Sequence, residues 1–112
     1  MTVTVKNIVP AKIVEASQTT QYTAVGVTTI IDKFTATNYG AVPASLSVNL
    51  VTTGGSAGDA NLITKVKTLQ AGEVYTFPEL VGQVLNPSGF ISTLASAATT
   101  INMRVSGREV TQ

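Results

Sequence analysis

The segment TTGGSAGDANL, residues 52–62, concentrates the residue types that most often build a small ligand site. It contains Gly54, Gly55 and Gly58, followed directly by Asp59. A phosphate-binding P-loop needs a lysine after its last glycine, whereas here the next residue is an acid that repels phosphate. A dinucleotide-binding loop leads into a helix, but the following ANLITKVKTL indicates a strand. A calcium loop needs carboxylates at alternate positions, and Asp59 is the only one present.

We therefore predict that this segment is a connection between two strands. Its glycines would permit positive φ angles, and Asp59 would brace the turn with its side chain. A connection of this length is expected to project from the domain. It should be exposed or touch a neighbouring subunit.

Catalytic chemistry has few residues available elsewhere in the chain, which lacks both cysteine and histidine. Gly54, Ser56 and Gly58 match the letters of a nucleophile elbow, but that motif joins a strand to a helix and needs a histidine. Glu73 and Glu79 flank VYTFP, yet no pattern places two carboxylates across a cleft. We predict a protein that is not an enzyme and that uses no metal and no cofactor.

Charge is unusually sparse. Charged residues make up 12% of the chain and the formal net charge is +1, whereas an average soluble domain is about 25% charged. The sequence therefore favours neither nucleic-acid nor membrane binding. A surface with so little charge is expected to be covered by other copies or by a partner, which predicts a homo-oligomer, either a dimer or a trimer. The first ten residues lack the features of a signal peptide.

Apolar and polar residues alternate with a period of two along most of the chain. In one segment Ala44, Leu46, Val48 and Leu50 would face the core, and near the C-terminus Ile101, Met103 and Val105 alternate with Asn102, Arg104 and Ser106. This pattern predicts half-buried strands. Further strands are expected at residues 11–16, 19–25, 27–37, 62–69, 73–77 and 89–95. The predicted fold is an all-β antiparallel sandwich or jelly roll of about seven or eight short strands.

A few segments lie outside this regular pattern. Residues 78–85, PELVGQVL, are expected to form an ordered crossover or one helical turn. Residues 1–10 would form an N-terminal arm or an edge strand, with residues 11–112 as a single β-sandwich domain. The residues predicted to contact neighbouring subunits are Thr2, Val3 and Val5 in the arm, Tyr39 beside a turn, and Gly54, Gly55, Gly58 and Asp59 in the glycine-rich loop.

Two segments carry a family resemblance: IIDKFTATN at residues 30–38, and LQAGEVYTFPELVGQVLNPSGFISTLAS at residues 69–96. Together with the Thr/Val/Ala-rich remainder, they resemble small virion proteins of tailed bacteriophages, most of all capsid decoration (cement) proteins. The resemblance implies a non-enzymatic protein that bridges capsomers on the capsid surface. It also implies assembly in the host cytoplasm, with the major capsid protein or other virion proteins as partners. A small tail, collar or fibre component and a ligand-binding β-sandwich remain alternatives.

Overall fold

A computed structural model describes residues 1–111, which fold into an antiparallel β-sandwich, as predicted, but with nine strands instead of seven or eight, three of which have 11 or 12 residues. Gln112, the last residue of the predicted domain, lies outside the described residues. The strands are β1 (Thr2–Ile13), β2 (Thr19–Thr23), β3 (Thr28–Asn38), β4 (Ala44–Val51), β5 (Leu62–Leu69), β6 (Val74–Tyr75), β7 (Val84–Leu85), β8 (Phe90–Ala95) and β9 (Ile101–Thr111). A short 3-10 helix, Asp59–Asn61, precedes β5. No helix in this part of the chain is long and apolar enough to cross a membrane.

The strands pair in a nested order. The first sheet runs β1–β9–β3–β6, with β7 also paired to β3, and the second runs β2–β8–β4–β5. Thus β1 pairs with β9, β2 with β8, β3 with β6 and β7, and β4 with β5, always antiparallel.

The core lies between the sheets, and the predicted alternation places it correctly in β9. Ile101, Met103 and Val105 are buried there, while Asn102 and Arg104 are exposed. Period-two alternation puts successive side chains on opposite faces of a sheet. The sequence pattern therefore decided which face of β9 looks inward.

In β4 the residues predicted to face the core do face it, but residues on the opposite face are buried as well. Leu46 and Val48 are fully buried, and Leu50 packs against the core, as predicted. Asn49 and Val51 are buried as well, although they belong to the opposite face. Both contact the glycine-rich loop, which folds back over this outer face.

An aromatic cluster fills one side of the core. The ring centroids of Phe34 and Phe77 lie 4.8 Å apart, and Tyr75 packs 4.6 Å from Phe77. Beyond Phe77, residues 78–82 form turns that lead to β7, and the buried Leu80 anchors them. Because β6 and β7 both pair with β3, this segment stays at one edge of the first sheet, so the predicted crossover is wrong, and residues 78–82 are turns instead of a regular helix.

The N-terminal segment differs from the prediction. Residues 1–10 are predicted as an arm or an edge strand and residues 11–16 as a separate strand, whereas β1 is one edge strand of 12 residues that includes parts of both. Its register against β9 shifts between Lys6 and Val9 and again between Val9 and Lys12. Such bulges let an edge strand continue past Pro10, which has no N–H to donate.

Candidate interaction surface

The predicted contact residues fall in three separate places. Thr2, Val3 and Val5 lie at the start of β1, whereas Tyr39 follows the end of β3. The start of β1 pairs with the end of β9, and the end of β3 pairs with the start of β9. Tyr39 is therefore at the opposite end of the first sheet from Val3 and Val5, and its side chain is 48% exposed. The glycine-rich loop belongs to the second sheet.

Backbone geometry explains two of the three glycines in that loop. Gly54 has a φ of +78°, a conformation that strains residues with a side chain. A Cβ on Gly55 would lie 3.2 Å from both the carbonyl oxygen of Thr52 and Cγ1 of Val51. Gly58 has an extended φ of −167°, and a Cβ added there would meet no atom within 4 Å, so its backbone does not require glycine.

Asn61 braces the loop, so the prediction that Asp59 does so is wrong. The Asn61 Oδ1 atom accepts hydrogen bonds from the backbone N–H of Gly58, at 3.1 Å, and from Nδ2 of Asn49, at 2.7 Å. Its own Nδ2 donates to the carbonyl oxygen of Ser56 at 2.9 Å. The exposed Asp59 carboxylate accepts no hydrogen bond within residues 1–111.

The strand register assembles an apolar patch on the outer face of the first sheet. Val5 is paired with Arg108, Arg108 with Ile30, and Ile30 with Val84. Directly paired residues share a face, so these four side chains form one row across four strands. Val3 and Val110 pair in a neighbouring row, and alternation puts them on the same face. We call the apolar members the valine patch: Val3, Val5, Ile30, Val84 and Val110.

The valine patch is accessible. Val5 is 83% exposed, Val84 51% and Val3 49%, while Ile30 and Val110 are half-buried. Soluble monomers rarely expose a contiguous apolar patch to solvent unless the patch takes part in an interaction.

The charged pair within the patch neutralises itself. Arg108 donates from Nη2 to Oδ1 of Asp32 at 2.9 Å and from Nε to Oδ2 at 3.0 Å. These hydrogen bonds raise the pKa of Arg108 above its ordinary value. An exposed pair of this type adds little stability. The pair leaves the patch with no net charge, but a surface that covers it would still have to remove water from both charged groups.

Behind the valine patch, the inner face of the first sheet is polar, and hydrogen bonds connect it to the second sheet. Glu109 on β9 accepts a hydrogen bond of 2.5 Å from the Tyr22 hydroxyl, and Lys6 lies 3.3 Å away. Tyr22 also contacts the Thr29 hydroxyl at 2.7 Å. Burial and then the bond to Glu109 raise the pKa of Tyr22 to about 12. The Tyr22 bond is also the main reason that the pKa of Glu109 is lowered.

Sequence reasoning found Val3 and Val5 but missed Ile30, Val84 and Val110. Ile30 lies in a predicted strand, Val84 lies in the segment predicted to form a crossover or one helical turn, and Val110 lies beyond the alternation at residues 101–106. Nothing local in the sequence indicates that they share a surface with Val5. That information is held in the register between β1, β9, β3 and β7.

Two shallow grooves offer polar groups but no reactive pair. One, of about 340 Å³, lies on the outer face of the first sheet, and its lining includes Lys33, Thr35, Asn102 and Arg104. The other, of about 190 Å³, lies beside the glycine-rich loop, and its lining includes Gln18, Asn49, Lys65 and Leu94. Within the described chain, no group of three or more potential metal-binding side chains comes together.

Comparison with protein-family models, curated proteins and solved structures found no match for this chain. The functional argument therefore depends on the geometry of the molecule. The feature best suited to bind another molecule is the valine patch, because binding there would bury apolar area.

Proposed function

We propose that this protein is a non-enzymatic structural protein of a tailed-phage virion, which decorates the capsid and stabilises it by bridging capsomers. Its main partner in this proposal is the major capsid protein. The observation that carries the proposal is the valine patch, an exposed apolar area with no net charge on a protein with few charges. Such an area suits a permanent contact with another protein surface.

The energetics fit attachment in many copies. Fully burying one valine side chain contributes about 1.5–3 kcal/mol, and Val3, Val5 and Val84 are already partly covered by their own sheet. One copy would therefore bind a shell with modest affinity. A decoration protein that contacts two capsomers, or that is itself oligomeric, gains further affinity because the second contact becomes intramolecular.

The topology gives independent support. We infer that the nested pairing of the strands is that of a jelly roll, a fold used by viral capsid proteins and lectins. Fold analogy does not assign a function by itself. The absence of cysteine suits assembly in the reducing host cytoplasm before the protein takes its place on the virion surface.

The test is binding to phage heads that lack the protein. Purified wild-type protein should co-sediment with the heads and raise the temperature at which they release DNA. The double variant Val5→Thr/Val84→Thr removes apolar area from two strands of the patch, and we expect it to bind at least ~10-fold more weakly, a loss of about 1.4 kcal/mol. The matched control is Val42→Thr/Val74→Thr, two sites that are 59% and 54% exposed but lie outside the patch.

The outcomes separate the alternatives. Equal binding by both double variants would show that the valine patch is not the contact. Binding to tail or fibre fractions alone would identify a small tail, collar or fibre component. Saturable binding of a glycan that depends on Gln18 and Lys65, which line the groove beside the glycine-rich loop, would favour a ligand-binding sandwich.

A further inference from the structure

We propose that a second copy of this chain adds to the free edge of β1, with residues 2–6 of the two copies paired antiparallel about a twofold axis through Thr4. The two sandwiches would then share one continuous sheet. This inference concerns the isolated protein and does not depend on the proposed role in a virion.

The edges of the two sheets are not equally open. On the second sheet, β5 carries two register shifts against β4 and a strained φ of +51° at Val66, with Lys65 and Lys67 beside it. At the other edge β2 has 5 residues and a register shift, and on the first sheet β6 and β7 have 2 residues each. Bulges, lysines and short length are the features that prevent edge pairing.

The start of β1 has no bulge, carries one lysine, Lys6, at its far end, and belongs to a strand of 12 residues. Residues 2–6 pair with β9 in unbroken register, and the register shifts and Pro10 come only after Lys6. Residues 1–7 are exposed, so the approach of another strand is unobstructed. On such an edge, alternate residues direct N–H and C=O groups away from the sheet. A second strand would satisfy them.

The segment TVTVK is complementary to itself in one register. With the axis through Thr4, Val3 lies opposite Val5 of the second copy and Thr2 lies opposite its Lys6. A twofold interface requires a surface of this kind, and Val–Val cross-strand pairs are favourable. A register centred on Lys6 would instead oppose two like charges.

This register also places the two valine patches side by side. Val3 and Val5 lie on the outer face, and directly paired residues share a face. The patches of the two copies would therefore form one continuous apolar area across the joined sheet. On the inner face, Lys6 stays free to keep its contact with Glu109.

The dimer should be weak when it is free in solution. Two short paired segments bury less than the ~1,200 Å² of a stable interface. Self-association is therefore expected to depend on concentration and to strengthen when both copies are held on one surface.

Single cysteines test the register directly, because the natural chain contains none. Opposed Cα atoms in an antiparallel pair are about 4.5–5.5 Å apart, which falls within the ~4.4–6.8 Å range of a disulfide. Thr4→Cys should form a disulfide-linked dimer under mild oxidation at least ~10-fold faster than Val42→Cys, an exposed control in the loop between β3 and β4. Val3→Cys and Val5→Cys should each cross-link slowly alone and rapidly with each other.

Several results would overturn the proposal. One is Thr4→Cys linking no faster than Val42→Cys, which would indicate random collision. Another is rapid self-linkage of Val3→Cys or Val5→Cys, which would place the axis elsewhere. Circular dichroism and thermal unfolding of each reduced variant confirm that it is folded. Because the assay uses the isolated protein, a negative result leaves the head-binding test unaffected, and the reverse also holds.

Discussion

Gly107 gives the sharpest test of the structure, because a single methyl group at this position has no space. It lies in β9 between two neighbours that are both irregular: β1 shifts register between Lys6 and Val9, and β3 shifts between Ile31 and Lys33. A Cβ on Gly107 would lie 2.2 Å from the carbonyl oxygen of Ile30 and 2.4 Å from Cδ1 of Ile8. The Ile8 side chain can rotate, but the Ile30 oxygen belongs to the adjacent strand.

The expected effect of Gly107→Ala follows from two opposing terms. Alanine restricts the unfolded chain and so adds about 0.4–1 kcal/mol of stability where the native backbone accepts it. Forcing extra volume into a packed site costs about 1–3 kcal/mol, and more when the backbone must move. Since the contact here is with backbone, we take the upper end of that cost, and the net loss is then about 2 kcal/mol. For a domain of this size that lowers Tm by about 10 °C.

Urea and thermal unfolding of Gly107→Ala measure this loss, and Gly58→Ala is the matched control. At Gly58 the φ is −167° and nothing lies within 4 Å of the added Cβ. The same substitution should there be neutral or stabilise by up to about 1 kcal/mol. The reasoning fails if Gly107→Ala unfolds within about 0.5 kcal/mol of wild type, or if Gly58→Ala loses as much stability as Gly107→Ala.

Three further predictions concern hydrogen bonds that join separate elements. Glu79→Gln should lower the free energy of unfolding in urea by about 1 kcal/mol, because the Glu79 carboxylate accepts bonds from Thr64 at 2.5 Å and from a tyrosine on β6 at 2.9 Å; unchanged stability would contradict this. The pKa of Glu109 is lowered from 4.5, first by its bond to Tyr22, so its contribution is full above pH 4.5 and is lost as pH falls through the lowered folded value. Tyr22→Phe should therefore make Tm fall less steeply in acid, and an unchanged Tm–pH slope would refute the assignment. Asn61→Ala removes the brace of the glycine-rich loop and should speed limited proteolysis within residues 52–61, whereas equal cleavage rates would show that the brace is unimportant.

Local pattern determined the strands and the character of the surface. The alternation at Ile101, Met103 and Val105 marks an inward face because successive residues of a strand point to opposite sides. The missing histidine and cysteine limited the available chemistry before any fold was known. The pattern also separated the glycine-rich loop from phosphate sites, because no lysine follows Gly58.

Distant pairing decided the rest. Val84 lies in one row with Val5 because the strands are ordered β1–β9–β3–β7. A local stretch of sequence does not specify the register between strands that are distant in the chain. The same holds for Gly107, whose need for glycine arises from the backbone of β3 and not from its own φ. It holds as well for Asn61, which braces the loop because Asn49 of β4 lies beneath it. Residue type and periodicity thus determined which elements form, and tertiary contacts determined which side chains meet.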